Sequence, residues 1–322
     1  MPQPELAGTG VLVTGGAGFI GSHLVDAAVA AGARVRVLDN LATGRRENLA
    51  HLEDEIELLE GDLRDTDVCR RACDGMELVF HQAALGSVPR SLKDPATSLA
   101  VNVSGTANLF AAARDAGIRR VVYASSSSVY GDSAELPKRV GVEGEPLSPY
   151  ALSKKMNEDL ARVFQRCYDM ELVGLRYFNV FGPRQRHDGP YAAVIPRFFA
   201  AYREGRAPVI YGDGEQSRDF TYVGDAVSAN LLAAGAPAEA ARGAYNVASG
   251  RRATVNELAE WIRRLSGGGP APAHEPPRKG DVRHSLADLE ATTAGLEYRP
   301  QLDVESGLAR LAEYESALAG RS

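Results

Sequence analysis

A doubly wound α/β fold, with a parallel sheet covered by helices on both faces, is predicted for this chain by three observations. Short β-branched runs alternate with helix-period segments through the first half. The first run, Val11 to Thr14, breaks into glycines at 15, 16, 18 and 21 and then into an apolar-periodic helix, Phe19 to Ala31. The second run, VRVLDN, ends on an acid, Asp39. At 322 residues, 44% of them hydrophobic, the chain can bury one large core, or one large and one small.

The opening strand, glycine turn and helix N-terminus make an anion site. Gly15 permits the tight turn, Gly18 lets backbone approach a pyrophosphate, and Gly21 lets the helix pack close to the sheet. Asp39 stands where a ribose 2′-hydroxyl needs an acceptor, and it repels a 2′-phosphate. Arg45 and Arg46 in the next loop are the counter-argument, because arginine pairs with such a phosphate. The acid weighs more, so NAD is expected rather than NADP.

After the loop 41–48 the pattern predicts strand 56–62, a helix over 67–73, strand 77–83, a long helix over 98–116 and strand 120–125. A helix from Tyr150 and strand 171–180 follow. Asp62 ends the third strand in EGDLRD, where it reaches an adenine or caps the next helix. Ser125 to Ser128 form either a hydrogen-bonding shelf at the fifth strand end or an ordinary polar loop. Tyr150 and Lys154, at i and i+4, share one helix face, with Ser148 as cap and Pro149 in the first turn. An ammonium beside the phenol lowers its pKa from about 10 and turns Tyr150 into a general base.

The formal charge is −6 and the pI about 5.6, with no basic stripe, so no nucleic-acid partner is expected. No apolar run nears the roughly 18 residues of a membrane span, and MPQPELAGTG has no signal-peptide pattern. Cys69, Cys73 and Cys167 show no metal spacing and suit a reducing cytoplasm. No metal is expected.

These residues resemble the extended short-chain dehydrogenase/reductase family. The resemblance rests on TGGAGFIG, Asp39, the GD at 61–62, HQAA at 81–84, VNVSGT, the serine run before VYG and Tyr150/Lys154, and continues through RYFNVFGPRQ at 176–185 and RDFTYV at 218–223. Within it the UDP-sugar 4-epimerase branch is most similar. The resemblance implies a Rossmann-type sheet of about seven strands in a domain 1–180, rejoined by 217–247. A UDP-sugar domain is implied from 181–216 and 248–322. It implies a homodimer paired through the helices at about 98–116 and 150–168.

By the same resemblance the catalytic set is Ser126, Tyr150 and Lys154. NAD falls on Gly15, Gly18, Phe19, Ile20, Gly21, Asp39, Asn40, Asp62, Leu63, Ala83, Asn102, Tyr150, Lys154 and Tyr177. The UDP-sugar falls on Gly86, Ser87, Ser127, Ser128, Asn179, Arg186, Ala193, Val194, Tyr211, Arg218, Arg278, Asp281 and Ser285. Arg218 and Arg278 are forks for pyrophosphate oxygens, although Arg218 also reads as an ion pair with Asp219. Sugar 4,6-dehydratases carry an Asp-Glu pair, and decarboxylases a Glu, where this chain has Ser127 and Ser128. Elimination is therefore not expected.

The implied reaction is inversion at C4 through a transient 4-keto sugar. Arg186 matches an arginine of UDP-glucuronate 4-epimerases, where it meets the sugar carboxylate, and tilts the expectation to UDP-glucuronate/UDP-galacturonate. Asn179 departs from that pattern. Gly86 and Ser285, small where strict glucose enzymes carry Lys and Tyr, point instead to UDP-GlcNAc/UDP-GalNAc, with UDP-Glc/UDP-Gal also open. Remoter alternatives are a net UDP-sugar oxidoreductase and a non-catalytic nucleotide-sugar sensor.

Overall fold

A computed structural model describes residues 6–187, 192–277 and 283–319. Six strands of the first half are β1 (Gly10–Thr14), β2 (Arg34–Asp39), β3 (Ile56–Glu60), β4 (Leu78–His81), β5 (Arg120–Ser126) and β6 (Glu171–Tyr177). Shorter strands follow as β7 (Val180–Phe181), β8 (Val209–Tyr211), β9 (Ser217–Asp219), β10 (Thr221–Tyr222), β11 (Gly243–Val247), β12 (Arg252–Thr254) and β13 (Ala273–Glu275). The main sheet runs β11-β6-β5-β4-β1-β2-β3, and every pairing in it is parallel. This is a Rossmann-type order whose direction reverses between β1 and β4, the place where such sheets bind ligands.

The helices are α1 (Phe19–Ala30), α2 (Thr66–Cys73), α3 (Val88–Lys93), α4 (Pro95–Leu99), α5 (Gly105–Asp115), α6 (Pro149–Tyr168), α7 (Val194–Arg203), α8 (Val223–Gly235), α9 (Val255–Leu265), α10 (Glu290–Leu296) and α11 (Val304–Ala319). α1 and α8 cover one face of the sheet, burying Leu24, Val25, Ala226 and Ala229 against Val11, Val13 and Val37. On the other face α2, α5 and α6 bury Cys69, Phe110 and Ala161 against Leu12, Val79 and Tyr123. Strands covered on both sides read as near-continuous apolar runs, and β1 is buried throughout. A separate core gathers Phe181, Phe198, Ile210, Leu258, Ile262 and Leu308, from β7, α7, β8, α9 and α11.

Local chemistry explains the boundaries. Ser148 accepts from Ala151 N and Pro149 takes the first turn, so α6 begins where the sequence expects. The capping reading of Asp62 falls to Asp65, whose carboxylate accepts from Asp67 N and Val68 N at the start of α2. The long helix expected over 98–116 is α4 and α5 joined by a π turn, Ala100–Ser104. The strand expected over 171–180 breaks after Tyr177. Asn179 takes φ +37°, and Val180–Phe181 leaves the main sheet to pair with β10. That break turns the chain from the sheet end toward the second core.

Candidate active site

A cavity of about 1090 Å³ runs along the C-terminal ends of the sheet strands. At one end are Gly15, Gly18, Phe19, Ile20, Gly21, Asp39, Asn40, Asp62, Leu63 and Ala83. The same cavity is lined by Gly86, Ser87, Ser126, Ser127, Ser128, Tyr150, Lys154, Tyr177, Asn179, Ala193, Arg218 and Ser285. Other expected residues are not brought to it. Asn102 is fully buried, with its Oδ1 accepting from Leu85 N at 2.8 Å and its Nδ2 donating to Ser153 Oγ at 3.1 Å. It ties the loop after β4 to α6. Val194 and Tyr211 lie outside the lining, and Arg186 is exposed on the loop after β7. Arg278 and Asp281 fall outside the described residues.

The glycine end fits a dinucleotide. Gly15 has φ +69°, and a Cβ there would lie 2.7 Å from Ala83 Cα. A Cβ on Gly21 would collide with Gly15 O, so only glycine lets α1 start this close to the strand end. Among the described residues no side chain caps α1, which leaves its first amides for an anion. Asp39 is fixed at the rim, its two oxygens accepting from Ala17 N at 3.0 Å and Leu41 N at 2.8 Å. Burial raises its pKa despite those bonds. Arg46 pairs with Glu60. Asp62 is held by Arg64 and by Asn40 Nδ2; the Arg64 hydrogen bond is the largest of the effects that lower its pKa.

Ser126 ends β5, while Tyr150 and Lys154 come from the first two turns of α6. Lys154 Nζ donates to Ala124 O at 2.8 Å and sits 6.0 Å from the centroid of the Tyr150 ring. Burial raises the phenol pKa, with the Ser126 hydroxyl pulling the other way. The lowered phenol expected from the sequence is therefore not found. The ammonium faces a carbonyl rather than the phenol oxygen, and desolvation wins. Burial also pushes Lys154 down to about 8, against the attraction of Glu158.

Behind these residues lies a buried ionic network. Arg176 donates through Nε to Glu158 Oε1 at 2.9 Å and through Nη2 to Oε2 at 2.7 Å. Its Nη1 bonds Glu143, and its guanidinium stacks 5.0 Å from the Tyr130 ring centroid. Ser125 Oγ donates to Glu158 Oε1 at 2.5 Å. One carboxylate on α6 thus grips both β5 and β6 beside the reacting groups. His81 makes a second link. Thr106 gives its only hydroxyl proton to Asn102 O at 2.6 Å, so it accepts from His81 Nε2 at 2.9 Å. His81 Nδ1 then accepts from the Thr14 hydroxyl at 2.7 Å. Burial, helped by Lys154, holds this imidazole down to about 3 and therefore neutral.

Comparison with known proteins decides the family. The NAD dependent epimerase/dehydratase family matches residues 11–248. The chain belongs to that family. It is 39% identical over 307 residues to the UDP-glucose 4-epimerase of Mycolicibacterium smegmatis, covering 94% of this chain and 97% of the relative. It superposes with TM-score 0.92 on the UDP-N-acetylglucosamine 4-epimerase of Methanobrevibacter ruminantium in complex with UDP-N-acetylmuramic acid. That match is 39% identical and covers 97% of this chain and 99% of the other. The UDP-glucose 4-epimerase of Thermus thermophilus, in complex with NAD, matches with TM-score 0.85 and 35% identity, covering 94% and 98%. NAD is this family's cofactor, and the glycine cradle, uncapped helix and Asp39 suit it.

Three cations of the lining, Arg64, Arg197 and Lys138, were not expected from the sequence. Arg64 follows the GD at a strand end, a position that flags it in retrospect. Arg197 lies one turn past Val194 on α7. Lys138 lies in the long β5–α6 connection, where no periodic pattern marks any residue. Among the described residues no His, Cys, Asp or Glu group is placed to hold a metal. No helix among them is long and apolar enough to cross a membrane.

Proposed function

We propose that this NAD-dependent UDP-sugar 4-epimerase acts on UDP-N-acetylhexosamines, UDP-GlcNAc and UDP-GalNAc, and takes UDP-glucose and UDP-galactose as smaller substrates. The observation that carries this reading is the wall at Gly86 and Ser285. Both line the cavity with Ser126 and Tyr150, and a Cβ at Gly86 would meet no atom of the described residues within 4 Å. A 2-acetamido group needs such room. Arg186, on which the uronate expectation rested, is not in the lining. A relative named for UDP-N-acetylglucosamine supports the same choice.

In this reading Tyr150 takes the proton of the sugar 4-hydroxyl and returns it. Ser126 hydrogen-bonds the 4-oxygen and opposes the burial that raises the Tyr150 pKa, and the Lys154 ammonium, 6.0 Å from the ring centroid, adds positive charge. NAD held there would supply reversible hydride chemistry at C4. Asp39 and the start of α1 hold the cofactor, while Arg218 and Arg278 take the diphosphate. Ser127 and Ser128 offer hydroxyls but no carboxylate, so protons at C5 and C6 stay in place.

Leu152, Met156 and Val163 are exposed along α6, and we read that row as the face of a homodimer in a reducing cytoplasm. Sedimentation equilibrium then returns twice the 34.3 kDa chain mass; a monomer mass removes the dimer. The substrate is tested by offering UDP-GlcNAc, UDP-glucose and UDP-glucuronate separately and resolving products by anion exchange. The reading expects the highest kcat/KM with UDP-GlcNAc, and a product from UDP-glucuronate alone overturns it.

A further inference from the structure

Lys138 is a buried cation on the cavity wall. It is 6% exposed and lines the same cavity as Ser126, Tyr150 and Ser285. Its backbone is clamped from two sides. Lys138 N donates to Leu286 O at 2.7 Å, and Asp288 N donates to Lys138 O at 3.0 Å. Asn246 Nδ2 donates to the same carbonyl at 2.9 Å. The residue is thereby fixed against the segment that carries Ser285.

An ammonium has three N–H donors. Among the described residues Lys138 Nζ meets one acceptor, Ser133 O. Burial lowers its pKa, which Glu135 opposes only at a distance. Ser133 belongs to the turn that follows the catalytic serine run, since Ser133 N donates to Tyr130 O at 3.0 Å and Gly131 N to Ser128 O at 3.1 Å. On that same run Ser128 Oγ is buried with no hydrogen-bond partner among the described residues. A half-satisfied ammonium and an orphaned hydroxyl beside one cavity are each unfavourable in the fold alone. A ligand oxygen in the cavity could accept from the Lys138 ammonium, which lies on its lining.

We propose that Lys138 is a substrate-binding residue that donates from Nζ to the hydroxyl or acyl oxygens of the hexosyl group, and so helps set which sugar is turned over. The hexosyl group is favoured over the diphosphate because Lys138 is bonded into the turn after Ser126–Ser128, where the reaction takes place. This rests on the UDP-sugar 4-epimerase reading and adds a specificity residue to it.

The test compares wild type with Lys138→Met and Lys138→Arg. Steady-state kinetics with UDP-GlcNAc and UDP-glucose is read beside calorimetric Kd values for both sugars and for UDP, which lacks the hexosyl group. Lys138→Met is expected to raise KM and Kd for UDP-GlcNAc by about 10-fold or more, the scale of one charge-assisted hydrogen bond. The Kd for UDP should stay within about 2-fold on the same scale, and Lys138→Arg should fall between. A loss confined to UDP-GlcNAc puts the contact on the acyl oxygen, and an equal loss for UDP-glucose puts it on a ring hydroxyl. Unchanged sugar affinity, or a UDP affinity that falls in parallel, overturns the proposal. If Lys138→Met does not fold, Lys138→Arg and Lys138→Gln carry the same comparison. Wild-type protein that binds UDP-sugars but forms no C4 epimer sinks the functional reading instead, and the Kd comparison still decides Lys138.

Discussion

Lys154 donates its Nζ to the carbonyl oxygen of Ala124 at 2.8 Å, on the strand that ends in Ser126, and not to the phenol of Tyr150 four residues away. Helix spacing alone puts the two side chains on one face, but the carbonyl decides where the charge goes. With a raised phenol and a lysine pushed down to about 8, the pair needs the ammonium form to make Tyr150 a base.

Tyr150→Phe should therefore remove turnover while calorimetry still shows UDP-sugar binding. Lys154→Met should cost at least about 10²-fold in kcat, the usual worth of general acid–base assistance. Because Lys154 loses its proton near pH 8, wild-type kcat/KM should fall on the alkaline side. Lys154→Arg, which stays charged, should lack that limb. Identical limbs in the two proteins would remove Lys154 as the titrating group.

Arg176 and Glu158 are buried and Glu143 half-buried, so removing Arg176 strands charge. Arg176→Met should lower stability by about 3–5 kcal/mol in urea unfolding. Adding Glu158→Gln and Glu143→Gln should recover part of it, since the unpaired carboxylates are then gone. A triple variant no more stable than the single would show that packing against Tyr130, not charge, holds the corner.

His81 gives the fold a defined response to acid. Its folded pKa, about 3, is depressed by burial from the ordinary 6.5 of histidine. The unfolded chain therefore takes up the proton first, and the contribution of His81 is complete above pH 6.5 and declines as pH falls toward 3. The thermal midpoint should drop more steeply between pH 7 and 4 in wild type than in His81→Gln. Parallel curves would assign the acid sensitivity to other groups.

Ser285→Tyr should close the open wall of the cavity. UDP-GlcNAc turnover is expected to fall by about 10-fold or more relative to UDP-glucose, because a mis-sized pocket discriminates on that scale. Equal effects on the two sugars would mean that the acetamido group lies elsewhere.

The local rules made much of this molecule legible before its structure. Glycines at 15, 18 and 21, Asp39 at a strand end and Ser148-Pro149 at a helix start are short-range signals, and each lies where it was expected. What depended on three-dimensional competition was hidden. Nothing in the sequence says that Lys154 will face Ala124 O, that Asn102 will be consumed by Leu85 and Ser153, or that Arg186 will miss the cavity. Lys138 was hidden for another reason: its position is set by the segment 286–288, about 150 residues away in a chain whose loops carry no period.

If C4 is inverted by withdrawing a hydride and returning it to the same carbon, the hydrogen at C4 never exchanges with solvent. The most direct measurement is proton NMR of the product formed from UDP-GlcNAc deuterated at C4, in ordinary water. Return of the same hydride gives UDP-GalNAc that keeps its deuterium at C4. A C4 epimer that has exchanged the label for solvent hydrogen would contradict it.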